Sequence, residues 1–299
     1  MTRSSPSRPV VVGVDGSDGA RAATVFATDE ARLRRTSLRL LHALSWPLKG
    51  LAAETSPDPD LRETLQAGVE VVLRATAADA ADVLGADRVS WSVVDEDPVT
   101  ALRTASADAQ VLVVGSRGVG GILGLLGSTA NGVVADAACP VVVLPDPTSV
   151  TATPRASVVV GVEGRPGDDA VLDFAFAEAA ARGTDLVAVH AWQDVTLETA
   201  FQSLGPLVDW AGVQADEERV LAETLAGWRQ KEPDVPVREV VLRERTARAL
   251  VSVGLTAALL VVGHRHRKPL ARLGSTTHGV LRRAGCPVAV VPITSDGAR

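Results

Sequence analysis

Short β-branched runs alternate with longer Ala- and Leu-rich stretches along the whole chain. Val10–Val14 is an apolar run between Pro9 and Asp15-Gly16-Ser17, which predicts a buried strand followed by a turn. Asp18 to about Arg35 reads as a helix, with Val25, Phe26 and Leu33 sharing part of one face and Arg32, Arg34 and Arg35 in a solvated last turn. Leu38–Leu44 predicts a second strand, 46–60 a proline-containing loop, Leu61 to about Leu84 a long helix and Arg88–Val94 a third strand. Pro98 suits the first turn of a helix ending near Ala107. Val111–Val114 is a fourth strand, 129–138 a helix entered through a glycine-rich loop, and Pro140–Leu144 a fifth strand.

The pattern then starts again. Val10–Val14 matches Val158–Val162 at an offset of 148, and at that offset Phe26 falls on Phe174, Glu30 on Glu178, His42 on His190 and Gly115 on Gly263. Past the second glycine loop the offset is 147, so that Gly127-Ser128-Thr129 meets Gly274-Ser275-Thr276 and Cys139-Pro140 meets Cys286-Pro287. A nearly constant offset over many motifs indicates duplication. The predicted fold class is α/β: two tandem Rossmann-like domains, each a five-stranded parallel sheet with helices on both faces. The expected layout is a tail over 1–9, a first domain over 10–145, a Pro-rich linker over 146–155, a second domain over 156–293 and a tail over 294–299.

Composition narrows the function. Hydrophobic residues make up 46% of the chain, enough for two full cores, while aromatics are only 3%, so the cores are Val, Leu and Ala. A formal net charge of −6 argues against nucleic acid held by phosphate neutralisation. Cys139 and Cys286, at matching places in different halves, read as small core residues. Residues 1–9 lack an apolar segment and no apolar run reaches membrane-spanning length. The expectation is a soluble cytoplasmic protein with no membrane partner.

Candidate chemistry concentrates in Val111–Thr129, where a buried strand ends in Gly115, passes through glycines and enters a helix. Backbone N–H groups and the helix dipole make such a junction a place for anions. Gly115 and Gly118 permit positive φ and close approach of backbone to ligand. Gly127 leaves the helix mouth open, Ser128 and Thr129 add hydroxyls of helix-capping type, and Arg117 adds a cation. Asp15 lies at the end of the first strand, placed to accept ribose hydroxyls or hold Mg²⁺. Together these favour a nucleotide over an inorganic anion; the alternative is a tight turn and nothing more. A P-loop is excluded by the absence of lysine from 115–129, and a Rossmann fingerprint by Leu123 and by the loop's place after the fourth strand. No Ser-His-Asp or Cys-His arrangement follows from spacing, and His42 and His190 read as structural.

VVGVDGS at 11–17, LLHA at 40–43 and VVGSRG…GST…CPVVVLP at 113–145 resemble the universal stress protein family in its tandem two-domain form, whose domains are adenine nucleotide α-hydrolase-like. The resemblance implies ATP, with possible Mg²⁺ at Asp15, Ala43 offering its backbone to adenine, and Gly13, Val14, Val114, Gly115, Arg117, Gly118, Gly127, Ser128 and Thr129 completing the site. It also implies a non-enzymatic regulator of stress or dormancy, with slow ATP hydrolysis and a nucleotide-free scaffold as alternatives. The expected partners are ATP and an unidentified protein, with the two domains forming an internal pseudo-dimer and a homodimer possible.

The ATP-binding pattern is G-x-x-G, nine residues, then G-Ser/Thr; here eight residues separate Gly118 from Gly127, a difference the insert 119–124 is expected to absorb. The second copy departs further. Glu163 replaces Asp15 and extends the carboxylate by about 1.5 Å. His266 replaces Gly118, Arg165 replaces Ser17, Pro269 stiffens the loop and seven residues precede Gly274. The second set, Glu163, Ala191, Gly263, His266, Gly274, Ser275 and Thr276, is therefore expected to be degenerate for ATP, with a possible small-anion site at 274–276. The run His264–Lys268 reads as a solvated loop, with phosphate binding as the alternative and no ligand spacing for a metal.

Overall fold

A computed structural model of the chain describes residues 8–44, 59–118, 126–146, 157–192, 209–265 and 273–293. Most of the loop expected over 46–60, most of the linker, most of the N-terminal tail and the C-terminal tail lie outside them. The chain divides into two compact units, Met1–Thr148 and Ser149–Arg299.

In the first unit the strands are β1 (Val10–Gly13), β2 (Leu38–Ala43), β3 (Val89–Val94), β4 (Val111–Gly115) and β5 (Val141–Leu144). The helices are α1 (Asp18–Leu33), α2 (Pro59–Leu84), α3 (Pro98–Ser106) and α4 (Ser128–Asp136). Strand order is β3-β2-β1-β4-β5, all pairings parallel. The second unit has β6 (Val158–Gly161), α5 (Asp168–Arg182), β7 (Leu186–Ala191), α6 (Trp210–Lys231), β8 (Val237–Leu242), α7 (Thr246–Val253), β9 (Leu259–Arg265), α8 (Ser275–Leu281) and β10 (Val288–Ile293). Its order is the same, β8-β7-β6-β9-β10, again parallel.

The sequence explains the layers. Val10, Val11 and Val12 are all buried, as are Val111–Val114, because central parallel strands are covered on both faces; Val141–Leu144 of β5 are buried too. Each such Val or Leu contributes about 2 kcal/mol through burial. The outer strands β3 and β8 are half-buried. On α2, Leu73, Ala77, Ala80 and Leu84 form one buried stripe at helical spacing. Helix starts carry their own signals: the Ser17 hydroxyl accepts the Ala20 N–H of α1 at 3.1 Å, and Asp97 caps α3 ahead of Pro98.

Predicted element boundaries fall within two residues of those observed. Pro59 opens α2 instead of closing the preceding loop, since proline's missing N–H is harmless in a first turn. Other expectations for α1 need correction. Val25 is 67% exposed, and the buried face is Ala20, Ala23, Thr24, Ala27, Thr28 and Ala31. The end of α1 is not simply solvated either: Arg34 Nε lies 2.5 Å from Glu30 Oε1, and Glu30 is buried. The second unit repeats the pair as Arg182 with Glu178. Both helices also end alike, with Thr36 N–H donating to the Ala31 carbonyl and Thr184 N–H to Ala179, each at 3.0 Å.

That shared ending requires a left-handed residue, and the two units supply it differently. Gly183 adopts φ 62° at no steric cost, whereas Arg35 is held at φ 54°. Arg35→Gly is therefore expected to stabilise the first unit by about 1 kcal/mol, and Gly183→Arg to destabilise the second by a similar amount, read as opposite shifts in urea midpoints.

Cys139 and Cys286 are buried beneath the sheets and unbridged. Burial pushes their thiols up to about 12 and about 11, from an ordinary value of 9.0. Folded-state pKa values above the unfolded ones mean that this contribution to stability is complete below about pH 9 and fades as pH rises toward the folded values. Iodoacetamide at pH 8 is expected to label neither cysteine in native protein and both after denaturation.

Candidate functional site

The carboxyl ends of β1 and β4 sit side by side, and their outgoing chains diverge into α1 and toward α4. That is the switch point at which open parallel sheets bind ligands. Beyond β1, the Asp15 carboxylate accepts the Ser17 N–H at 3.0 Å while Gly16 turns the chain at φ 85°. Beyond β4, Ser116 N–H donates to the Leu144 carbonyl at 2.7 Å and Gly127 N–H to the Ser116 carbonyl at 2.8 Å. These two bonds bring the start of α4 against the end of β4, with the open N–H groups of its first turn at the cleft.

A solvent-open cleft of about 670 Å³ results. Gly13, Val14, Asp15, Ala43, Val114, Gly115, Arg117, Gly118, Gly127 and Thr129 of the predicted set all line it. Ser128 does not; it is the exposed first residue of α4. The helix cap is Gly127, without a side-chain bond, so neither Ser128 nor Thr129 caps α4. The insert 119–124 lies outside the described residues. Sequence reasoning missed the apolar floor, Leu41, Pro98, Leu102 and Ala130. Gly13 belongs to that floor because a Cβ there would lie 3.2 Å from the Leu102 methyls.

The glycines act differently from the expectation. Neither Gly115 nor Gly118 has positive φ. What they provide is space for the protein's own atoms. A Cβ on Gly118 would stand 2.3 Å from Asp15 Oδ2, and one on Gly115 would stand 2.9 Å from the Gly19 carbonyl carbon. Gly19 itself, overlooked in the sequence although Gly167 repeats it, admits the Arg117 carbonyl, 2.7 Å from where its Cβ would be. Arg117 forms an ion pair with Asp146, so its cation reaches the cleft already partnered. His42 Nδ1 donates to the Val14 carbonyl at 2.7 Å and so ties the end of β2 to the end of β1.

The second unit builds the same cleft with other chemistry. Glu163, Gly263, Gly274, Ser275 and Thr276 line it; Ala191 does not, and its carbonyl accepts the Thr246 hydroxyl at 3.4 Å. His266 and Pro269 lie outside the described residues. Space is not what changed, since this cleft holds about 970 Å³. Its polar groups instead engage one another. Arg265, the counterpart of Arg117, pairs with Glu163 at 3.1 Å, and Ile293 stands where the first unit has Asp146. Asp168, at the position of Ala20, is buried and its Oδ2 accepts the N–H groups of Glu163, Gly164 and Arg165 at 3.1, 2.7 and 3.2 Å. Burial pushes this carboxyl up, against the three donors that pull it down. His190 Nδ1 keeps the strand tie to Val162 at 2.8 Å, with Nε2 2.8 Å from Glu217. At 274–276 the following helix α8 has seven residues, too short for its N-terminus to make an anion site unaided.

Asp168 thus holds the turn after β6 from inside. Asp168→Ala leaves three N–H groups without this acceptor and is expected to cost about 2–3 kcal/mol, while Asp168→Asn keeps an acceptor oxygen and is expected to cost under about 1 kcal/mol, both read by thermal unfolding.

Comparison with known proteins shows the family and the fold. The model of the universal stress protein family matches residues 6–145 and again 155–292. A universal stress protein of Mycobacterium tuberculosis is 37% identical over 304 residues, spanning 97% of this chain and 99% of its own. A second from the same organism is 37% identical over 296 residues, spanning 97% and 98%. The crystal structure of a universal stress protein from Archaeoglobus fulgidus has the same fold, with a TM-score of 0.69 at 19% identity, covering 97% of this chain and 98% of that one.

Proposed function

This chain belongs to the universal stress protein family, and from that membership we propose that its first unit binds ATP, its second has lost nucleotide, and the whole acts as a non-enzymatic regulator of a stress or dormancy response. The observation that carries the reading is the contrast between the two clefts. In the first, Asp15 sits at the mouth, with Gly118 leaving room beside its carboxylate and the first turn of α4 across from it. In the second, the corresponding carboxylate is committed to Arg265.

The first cleft fits the parts of ATP in order. Leu41, Ala43 and the neighbouring apolar floor suit an adenine ring, with the Ala43 backbone offering hydrogen bonds to its edge. The Asp15 carboxylate suits ribose hydroxyls, and with the phosphates it suits Mg²⁺, which ordinarily takes one or two carboxylates plus phosphate oxygens. The N–H groups at Gly127–Thr129 suit the phosphate chain. Bound Mg²⁺ supplies charge neutralisation at the phosphates. In this reading Asp15, the carboxylate among the described lining residues, holds ribose and metal instead of serving as a general base. No helix among the described residues is long and apolar enough to cross a membrane.

Nucleotide released by denaturing freshly purified protein is expected to be ATP at about one per chain. Two per chain would contradict the asymmetry, and none, together with no calorimetric ATP binding, would overturn the reading. Gly118→His, which copies the second unit, is expected to weaken ATP binding at least about 100-fold, because the new Cβ displaces Asp15. Unchanged affinity in that variant, with an unchanged melting temperature, means that the ligand is held elsewhere.

A further inference from the structure

Outside the second cleft, a groove of about 1070 Å³ runs between the start of α7 and the length of α8. Arg245, His278, Arg282 and Arg283 line it and are exposed, with the Ser275 and Thr276 hydroxyls at the end shared with the cleft. Among the described residues, none of the three guanidinium groups has an ion-pair partner. The nearest acidic neighbour in sequence, Glu244, is paired with Arg248 at 2.7 Å.

The first unit shows what this place looks like without such a charge. Asp97, Asn131, Ala135 and Asp136 occupy the positions of Arg245, His278, Arg282 and Arg283. There Asp136 is neutralised by Arg103 at 2.9 Å, and Asp97 caps α3 through the Val99 and Thr100 N–H groups at 3.0 and 3.1 Å. In the second unit Val251 replaces Arg103, so the neutralising pair is gone, and α7 starts at Arg245 without a side-chain cap. Losing a cap and gathering three like charges both act against the folded state. No ion pair or cap among the described residues offsets them. That combination points to an external anion.

We infer that this groove binds an oligophosphate, a chain of two or three phosphoryl groups. Guanidinium forks donate paired N–H groups to phosphate oxygens, and hydroxyls at one end add further donors. The chemistry is the same for a free inorganic chain and for a nucleotide's phosphate tail. The groove lies outside the proposed ATP cleft, so the inference stands apart from that reading.

The test is calorimetric titration of the full chain with tripolyphosphate at low ionic strength. Three proteins are compared: wild type, Gly118→His, in which the first cleft is disabled, and Gly118→His carrying in addition the first unit's residues in the groove (Arg245→Asp, Arg282→Ala, Arg283→Asp). Gly118→His is expected to retain tripolyphosphate binding, and the combined variant to bind at least about tenfold more weakly than Gly118→His. Loss of binding in Gly118→His places the ligand in the first cleft and overturns the inference, as does equal binding by Gly118→His and the combined variant or no binding by wild type. Hydrogen exchange supplies a second readout in wild type: tripolyphosphate is expected to protect 275–283, and protection confined to the first unit overturns the inference. Repeating the titration in Gly118→His with ATP and adenosine identifies the source. ATP binding that the arginine substitutions abolish, with none by adenosine, assigns a nucleotide tail; binding of tripolyphosphate but not of ATP assigns the free chain.

Discussion

Three close approaches at glycines, two to backbone atoms and one to a carboxylate, set the geometry at the carboxyl end of the first sheet. Gly19 in the first turn of α1 meets Arg117, Gly115 at the end of β4 meets Gly19, and Gly118 meets Asp15. A Cβ at any of them would stand under 3.0 Å from another residue's atom. The loops after β1 and β4 therefore pack against each other before any ligand is considered. The cleft is what remains above that contact, and its width depends on the absence of three β-carbons. The parallel sheet places the two loops side by side, and the glycines determine how closely they come together.

The same frame in the second unit shows what such a cleft does when its partners are internal. Gly167 and Gly263 persist there, but the atoms they admit belong to Ile293. Asp168 supplies an internal carboxylate to the N–H groups after β6, and Arg265 supplies an internal cation to Glu163. Each exchange satisfies a polar group that an open site leaves to solvent or ligand. A nucleotide entering the second cleft would have to displace the Glu163–Arg265 pair before Glu163 could accept a ribose hydroxyl. The larger volume of the second cleft does not compensate, because its carboxylates, Glu163 and Asp168, are already engaged.

Much of this was legible in the chain. The alternation of Val-rich runs and helices, read twice at one offset, predicted the α/β class and five strands per unit, and VVGVDGS with VVGSRG…GST pointed to the family. The strand ends identified most of the cleft-lining residues, because in a parallel sheet position along the strand is position in the cleft. Three kinds of feature were not legible. The buried face of α1 is made of Ala and Thr, so a reading guided by Val25 and Leu33 chose the wrong stripe. The reason for Gly118 is steric, contributed by a carboxylate 103 residues earlier in the chain, which no local pattern encodes. Asp146 and Ile293 act through contacts that only the strand order brings together, and Asp168 through N–H groups three to five residues before it, which the residue type alone does not announce.

Duplication lets one copy diverge while the other keeps the shared chemistry, and the helix starts record where this happened. After β6 the second unit acquired a buried carboxylate that accepts three N–H groups, a gain of internal hydrogen bonding over Ala20. Before α7 it lost one, since Arg245 cannot do for that helix what Asp97 does for α3. The two changes have opposite signs for stability, each on the order of 1 kcal/mol or more. They also differ in direction: the first turns polar groups inward beside a cleft, while the second turns charge outward onto an exposed groove. The start of α5 combines both effects: Gly167 gives it no side-chain cap where Ser17 caps α1, while Asp168 beside it holds the preceding turn. Cap loss in the second unit is therefore offset by an internal carboxylate at α5 and by no such group at α7, where Arg245 stands at the groove that Ser275 and Thr276 share with the cleft.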